Sequence, residues 1–290
     1  DLVHILGEGS VAWMPTPYII AVHELPHLYR QKVGEFKRSL YASIGQSVSE
    51  LFLPRTCRRA TSILALSHST ADDLIQEYRV AAEKVSVAYP AANNIFFQVS
   101  NQERSRWCEN LPQPYLLTFA TGDRREVPSQ VVEAFGQICR QVSHCLVIAG
   151  KCPDWQKSEL IAIAKQQGCA ERLYFTGYVP DAELPFLYRD ADIFIELSRY
   201  EGFGLQVCEA MATGTDVITT DVSSLPEVVG SEGHLVALND PSQLGTTIAK
   251  ILTQPKSHAT EKSLCNQAAT FSWDTCSQLT WLAMKSIVYE

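Results

Sequence analysis

Glu201 stands just before the turn Gly202-Phe203-Gly204, and Glu209 lies in the apolar-periodic run LQVCEAMAT that follows it, within RYEGFGLQVCEAMATGTDVITTD at 199–221. Glycine on either side of Phe203 permits positive φ and lets backbone N–H groups approach a ligand closely. A helix that starts directly after such a turn presents donors suited to a diphosphate. Phosphate oxygens accept hydrogen bonds, so the two acids must serve something else. Glu209, one or two turns into the helix, is placed to reach a polyol such as a ribose. Glu201, in the turn, is placed to meet a sugar hydroxyl or a positive charge developing at an anomeric carbon. The plainer alternative makes Glu201 a solvated turn residue and Glu209 a surface helix residue.

A strand must deliver the chain to this turn, and DIFIELS at 192–198 reads as one. DVITTD at 216–221 is the strand beyond the helix, followed by SLPEVVG and HLVAL. Upstream, YLLTFATG, HCLVIAG and RLYFTG are strand candidates alternating with the helical patterns VPSQVVEAFGQICRQ and WQKSELIAIAKQQG. DAELPFLYRDA reads as a short helix that Pro185 kinks or restarts. The front of the chain repeats the logic with LVHIL, YIIAVHE, SILALS and KVSVAY, and HSTADDLIQEY opens on a Ser or Thr cap. Strand, helix, strand in that order implies parallel α/β packing. The stretch 97–114 loses this periodicity and reads as a linker. The expected organisation is an N-terminal Rossmann-like domain over 1–96, the linker 97–114, a C-terminal Rossmann-like domain over 115–270, and a last helix over 271–290 packing back on the first domain. In that helix Trp273, Leu279, Leu282 and Met284 are the packing candidates. Two such domains make a cleft, and open parallel sheets bind ligands beyond the carboxyl ends of their strands.

Composition narrows the class. With 46% apolar residues among 290, the chain can fill two modest cores. A net charge of -8, from 24 basic and 32 acidic side chains, argues against nucleic acid as the main partner. The nine cysteines form no CxxC pair and, with the seven histidines, no metal-ligand spacing, so they are expected to be reduced and mostly buried in a cytoplasmic protein. No apolar run reaches the roughly 18 residues of a membrane span.

The segment SRYEGFGLQVCEAMATGTDVITTD resembles the signature of the retaining, nucleotide-sugar-dependent glycosyltransferases of the GT-B architecture. That is the broad glycogen-synthase and bacterial mannosyltransferase type, glycosyl transferases group 1, family 4. The resemblance implies an α/β fold with two Rossmann-like domains facing a cleft. It implies that Glu201 contacts the donor sugar, that Glu209 binds the ribose hydroxyls, and that the amides of Phe203, Gly204 and Leu205 lie near sugar and phosphate. AVHELPHLY is similar to the family's strand-end histidine motif, which puts His23 near the reaction centre. LSHSTADDL is similar to its serine-rich helix start, with Ser67 and Ser69 near the cleft. YFTGYVPDAELPFLYRDADIFIELS resembles the segment holding the base, with Gly177, Tyr178 and Val179 contributing mostly backbone.

The pattern departs in three places, one of them Asp216, which stands where the family generally has proline and bears on the turn before a strand more than on chemistry. Family members usually carry a glycine-arginine step and then an arginine-lysine pair for the diphosphate, whereas this chain has FATGDRREVPSQ. Arg125 falls at the lysine position with Arg124 before it and Gly122 ahead of both, while the earlier arginine has no counterpart near Thr121. Arginine keeps the charge but replaces a point charge with a planar fork. DLVHILG, read as an interior strand, is similar to a later strand of the first domain, which implies that about the first 80 to 100 residues are absent and that domain incomplete. The implied activity is transfer of a hexose from a UDP-, GDP- or dTDP-sugar to a hydroxyl of a glycan, polysaccharide or lipid-linked acceptor. No essential metal and no tightly bound cofactor is expected. The basic residues from Arg30 to Arg59 could dock on the inner face of an anionic membrane, or form a solvated helix face. The competing class is an inactive, truncated homologue that binds a nucleotide sugar or stabilises a partner; an epimerase of the same architecture fits the two glutamates less well.

Overall fold

The computed structural model describes residues 3–5, 15–34, 40–100, 105–254 and 257–288, the side chains of 40–49 and 288 excepted. They form two compact units. The first runs up to Pro90 and includes Tyr200–Phe203 and the chain from Phe271 on; the second comprises Ala91–Arg199 and Gly204–Thr270.

In the first unit β1 (Val3–Ile5), β2 (Tyr18–Val22), β3 (Ser62–Ala65) and β4 (Val85–Val87) form a sheet in that order. All three pairings are parallel. Successive side chains of β2 point to opposite faces, and the two faces have different cores. Ile20 and Val22 pack with Leu25, Leu53, Ile63 and Leu74. Ile19, with Leu64 and Ala88, meets Cys276, Leu279, Ala283, Met284 and Ile287 of the Trp273–Val288 helix. Of the four packing candidates on that helix, Trp273 and Leu282 are instead exposed, at 51% and 59%. Leu282 falls outside the face that 276, 279, 283 and 287 share at helical spacing, and Trp273 opens the first turn. β1 is half-buried and not enclosed, because among the described residues it has a neighbour on one side only. The long helical segment before β3 divides into Pro26–Val33 and Leu40–Arg59.

The second unit has six strands: β5 (Tyr115–Phe119), β6 (Cys145–Ala149), β7 (Leu173–Gly177), β8 (Ile193–Glu196), β9 (Asp216–Thr220) and β10 (His234–Val236). Their order is β10-β9-β8-β5-β6-β7 with every pairing parallel. Counted within the unit this is the doubly wound order 3-2-1-4-5-6, which reverses between β5 and β8. β5 and β8 are buried along their whole length. Their near-continuous apolar sequences follow from a parallel sheet covered on both faces. The helices Pro128–Ile138, Asp154–Gln167 and Pro241–Leu252 close one face through Val131, Phe135, Leu160, Leu244 and Ile248 against Leu116 and Ile148. Pro185 sits in the first turn of Leu184–Arg189, just after the turn Asp181–Glu183, so it restarts the helix and does not kink it. Ser105, Cys108 and Leu111, within the stretch read as linker, are interior residues of this unit. All nine cysteines are free thiols, and five of them are buried.

Candidate functional site

Open parallel sheets bind ligands outside the carboxyl ends of their strands where the strand order reverses, which in the second unit is between β5 and β8, and the loop 120–127 leaves β5 at that end. That loop is tied to the end of β8. The Val127 N–H donates to the Leu197 carbonyl at 2.9 Å, the Arg199 N–H to the Arg125 carbonyl at 3.0 Å, and Glu126 pairs antiparallel with Ser198. Gly122 turns at φ +87, where an added Cβ would lie 2.9 Å from Pro153 Cγ. Its N–H donates to Gln156 Oε1 at 3.0 Å. The guanidinium of Arg124 lies 4.6 Å from the Trp155 ring centroid. Arg125 grips Asp123, donating from its backbone N–H at 2.9 Å, from Nε at 3.2 Å and from Nη2 at 3.0 Å. Glu126 accepts from the Thr121 N–H at 2.8 Å and hydroxyl at 2.6 Å, and burial raises its pKa. Arg125 is thus tied into an organised loop, while Arg124 is exposed and lies over the Trp155 ring.

Gly204 caps the Leu205–Ala212 helix at φ +101, and an added Cβ there would meet Leu225 Cδ2 at 2.7 Å. Leu205 is exposed in the first turn, at 40%. Glu209 is no surface helix residue. The fully buried Tyr188 donates its hydroxyl to Glu209 Oε2 at 3.4 Å. Burial pushes the Glu209 carboxyl up to about 7, with the charge of Asp181 adding to the shift and the Tyr188 hydrogen bond opposing it. At the end of β7, Gly177 turns at φ +70. Tyr178 is exposed with Lys151 over its ring at 5.1 Å, while Val179 is buried.

His23, Glu201 and Phe203 are found in the first unit. Tyr200 anchors this turn: it is buried, donates to Asp73 Oδ2 at 3.1 Å, and accepts from the Leu25 N–H at 3.2 Å. Lys32 lies over its ring at 4.7 Å. Gly202 rests against the backbone of His23 so closely that a Cβ would come within 2.1 Å of the His23 carbonyl oxygen. Thr70 donates to the carbonyls of His23 and Gly202, each at 3.3 Å. This brings the backbone of the Glu201 turn and of His23 together. Desolvation holds the His23 imidazole below its ordinary pKa, so the ring is neutral at pH 7. The Phe203 ring is buried against Tyr89 and Phe271, with centroids 5.9 and 5.1 Å away. Ser67 is fully buried, with its oxygen spent on capping the Thr70 N–H, so it serves the helix start. Thr70, Asp73, Asp123, Trp155, Gln156, Tyr188 and Tyr200 were not singled out from the sequence. Only Asp123, beside two arginines, carries a local signal.

Among the described residues no cluster of three or more His, Cys, Asp or Glu side chains could hold a metal. Residues 99–267, more than half of the chain, match the family described as glycosyl transferases group 1, and residues 1–93 match Glycosyltransferase Family 4. O-antigen chain mannosyltransferase B of Escherichia coli is 29% identical over 233 residues, covering 78% of this chain and 61% of that protein. A D-inositol 3-phosphate glycosyltransferase of Streptomyces avermitilis is 24% identical over 97% of this chain and 64% of its own length. The chain thus spans less than two thirds of these relatives. In fold it is similar to sucrose-phosphate synthase from Thermosynechococcus elongatus, with TM-score 0.81 at 23% identity over 100% of this chain and 74% of that one. It is likewise similar to Anabaena HepE in complex with UDP and glucose, with TM-score 0.73 at 18% identity over 93% and 72%. The two Rossmann-like α/β units are those of the GT-B fold. On the match over 99–267 the chain belongs to the glycosyl transferases group 1 family.

Proposed function

We propose that the chain binds a nucleoside diphosphate sugar and transfers its hexose to a hydroxyl of a glycan, polysaccharide or lipid-linked acceptor, with retention at the anomeric carbon. The observation that carries this is Glu209, a carboxyl set beside Tyr188 in the helix that Gly204 starts, on a sheet whose order reverses at β5 and β8. In this reading the Glu209 carboxylate accepts from the ribose hydroxyls. Gly177, Tyr178 and Val179 border the base. Arg124, Arg125, Gly122 and the amides of Gly204 and Leu205 meet the diphosphate, whose negative charge grows as the bond to the anomeric carbon breaks. On the first unit Glu201 contacts the donor sugar, the Phe203 amide lies near it, and neutral His23 hydrogen-bonds sugar or acceptor. The acceptor oxygen forms the new bond to the anomeric carbon on the face the diphosphate leaves, and its proton passes to the departing phosphate oxygen.

The relatives' names favour mannose as the sugar, and the complex of HepE with UDP and glucose makes a uridine donor a first candidate. No helix among the described residues is long and apolar enough to cross a membrane. Arg30 pairs with Glu50 at 3.2 Å and Lys32 lies over Tyr200, while Lys37 and Arg38 fall outside the described residues. Arg55, Arg58 and Arg59 are exposed and are the part of this basic segment open to an anionic membrane surface. Incubation with UDP-, GDP- and dTDP-hexoses and a panel of acceptors tests the proposal. Release of the nucleoside diphosphate with an α-configured product from an α-configured donor is expected. Binding without turnover by any acceptor would favour the inactive homologue.

A further inference from the structure

We propose that Trp155 is a positioning residue for the donor diphosphate, acting through Arg124; this rests on the donor-site reading above. Trp155 stands in the first turn of the Asp154–Gln167 helix with 46% of its surface exposed. An aromatic ring of that size left open at a βα loop is costly unless something lies on it. The Arg124 guanidinium does, at 4.6 Å from the ring centroid. Tryptophan offers the best ring face for a cation. A ring face orients a planar guanidinium by stacking and adds no formal charge of its own.

Residues 153–156 are also the seat of the whole loop. Pro153 Cγ and Trp155 Cζ2 would lie 2.9 and 4.0 Å from a Cβ on Gly122, so only glycine fits there. The buried Gln156 accepts from the Gly122 N–H at 3.0 Å and from the Cys152 thiol at 3.6 Å. The helix start therefore fixes the loop backbone through Pro153 and Gln156 and the Arg124 head group through Trp155. A long arginine side chain loses many rotamers when it binds, and a prepaid orientation reduces that loss.

Calorimetric titration of the 290-residue chain with UDP, GDP, dTDP and ADP, and with the matching nucleosides, tests this in Arg124→Ala, Trp155→Ala, Trp155→Phe and the double variant Arg124→Ala/Trp155→Ala. Arg124→Ala is expected to weaken the bound diphosphate about tenfold and Trp155→Ala about fivefold, with the nucleoside within about twofold in both. Trp155→Phe should restore affinity to within about twofold, and the double variant should fall no more than about twofold below Arg124→Ala. A loss from Trp155→Ala that adds in full to Arg124→Ala, that falls equally on the nucleoside, or that is absent overturns the positioning role while leaving the donor site in place. Wild-type affinity in Arg124→Ala likewise overturns the positioning role alone, whereas no binding of any nucleotide by the folded wild type overturns the donor-site reading and this proposal with it.

Discussion

A carboxyl buried beside a tyrosine hydroxyl titrates where a solvated one does not, and for Glu209 the consequence is a pH-dependent stability. Its ordinary value is 4.5 and its value in the folded protein is about 7. Between those values the folded state holds a proton that the unfolded state releases. The stabilisation is complete below pH 4.5 and is lost as pH rises through 7. At about 1.4 kcal/mol per pH unit this amounts to something on the order of 3 kcal/mol. Glu209→Gln should therefore flatten the fall in unfolding temperature between pH 4.5 and 7, and an unchanged slope in a thermal series would contradict it. If the carboxylate is the acceptor for ribose hydroxyls, nucleotide affinity should instead rise through the same window in the wild type and lose that rise in Glu209→Gln. Glu209 was legible as a ligand candidate from its place after EGFG. Tyr188 was not, because a tyrosine in LPFLYRDA reads as one more apolar position of a short helix.

The turn that carries Glu201 is held by contacts far apart in the chain. Gly202→Ala would drive a methyl into the His23 carbonyl oxygen at 2.1 Å, and a backbone atom cannot swing aside. It should lower stability by at least 1–3 kcal/mol, about the cost of overpacking, measured by denaturant unfolding. Tyr200→Phe removes the acceptor of the Leu25 N–H and the donor to Asp73, and about 1–3 kcal/mol of destabilisation is expected for the buried groups left unpaired. Values within 0.3 kcal/mol of wild type, roughly the error of such comparisons, would show that these contacts do not hold the turn. The strands were legible because parallel strands covered on both faces are short continuous apolar runs. The anchoring was not, since the partner of Tyr200 lies 127 residues away and no local period encodes it. The burial of Ser105, Cys108 and Leu111 was hidden for a similar reason: three interior residues in a short irregular segment show neither a helical nor a strand repeat.

At the scale of the molecule, alternating strand and helix patterns were enough to infer parallel α/β packing, but not the strand order. The reversal between β5 and β8 depends on which strands pair, and pairing leaves no mark on a strand that is apolar throughout. Free thiols throughout the chain lead to a simple expectation: adding a reductant to freshly purified protein should leave its unfolding temperature unchanged. A drop would reveal disulfides. Ligand linkage provides the larger test, since anything that binds the folded chain alone raises its unfolding temperature by mass action. Calorimetric titration of the 290-residue chain with UDP-, GDP- and dTDP-hexoses, with Glu209→Ala alongside, decides whether the second unit holds a nucleotide sugar. Binding of one nucleotide class in the micromolar range, weakened at least about tenfold in Glu209→Ala, is the expected result. A folded chain that binds none of them, or a Glu209→Ala variant that binds as tightly as wild type, would contradict it.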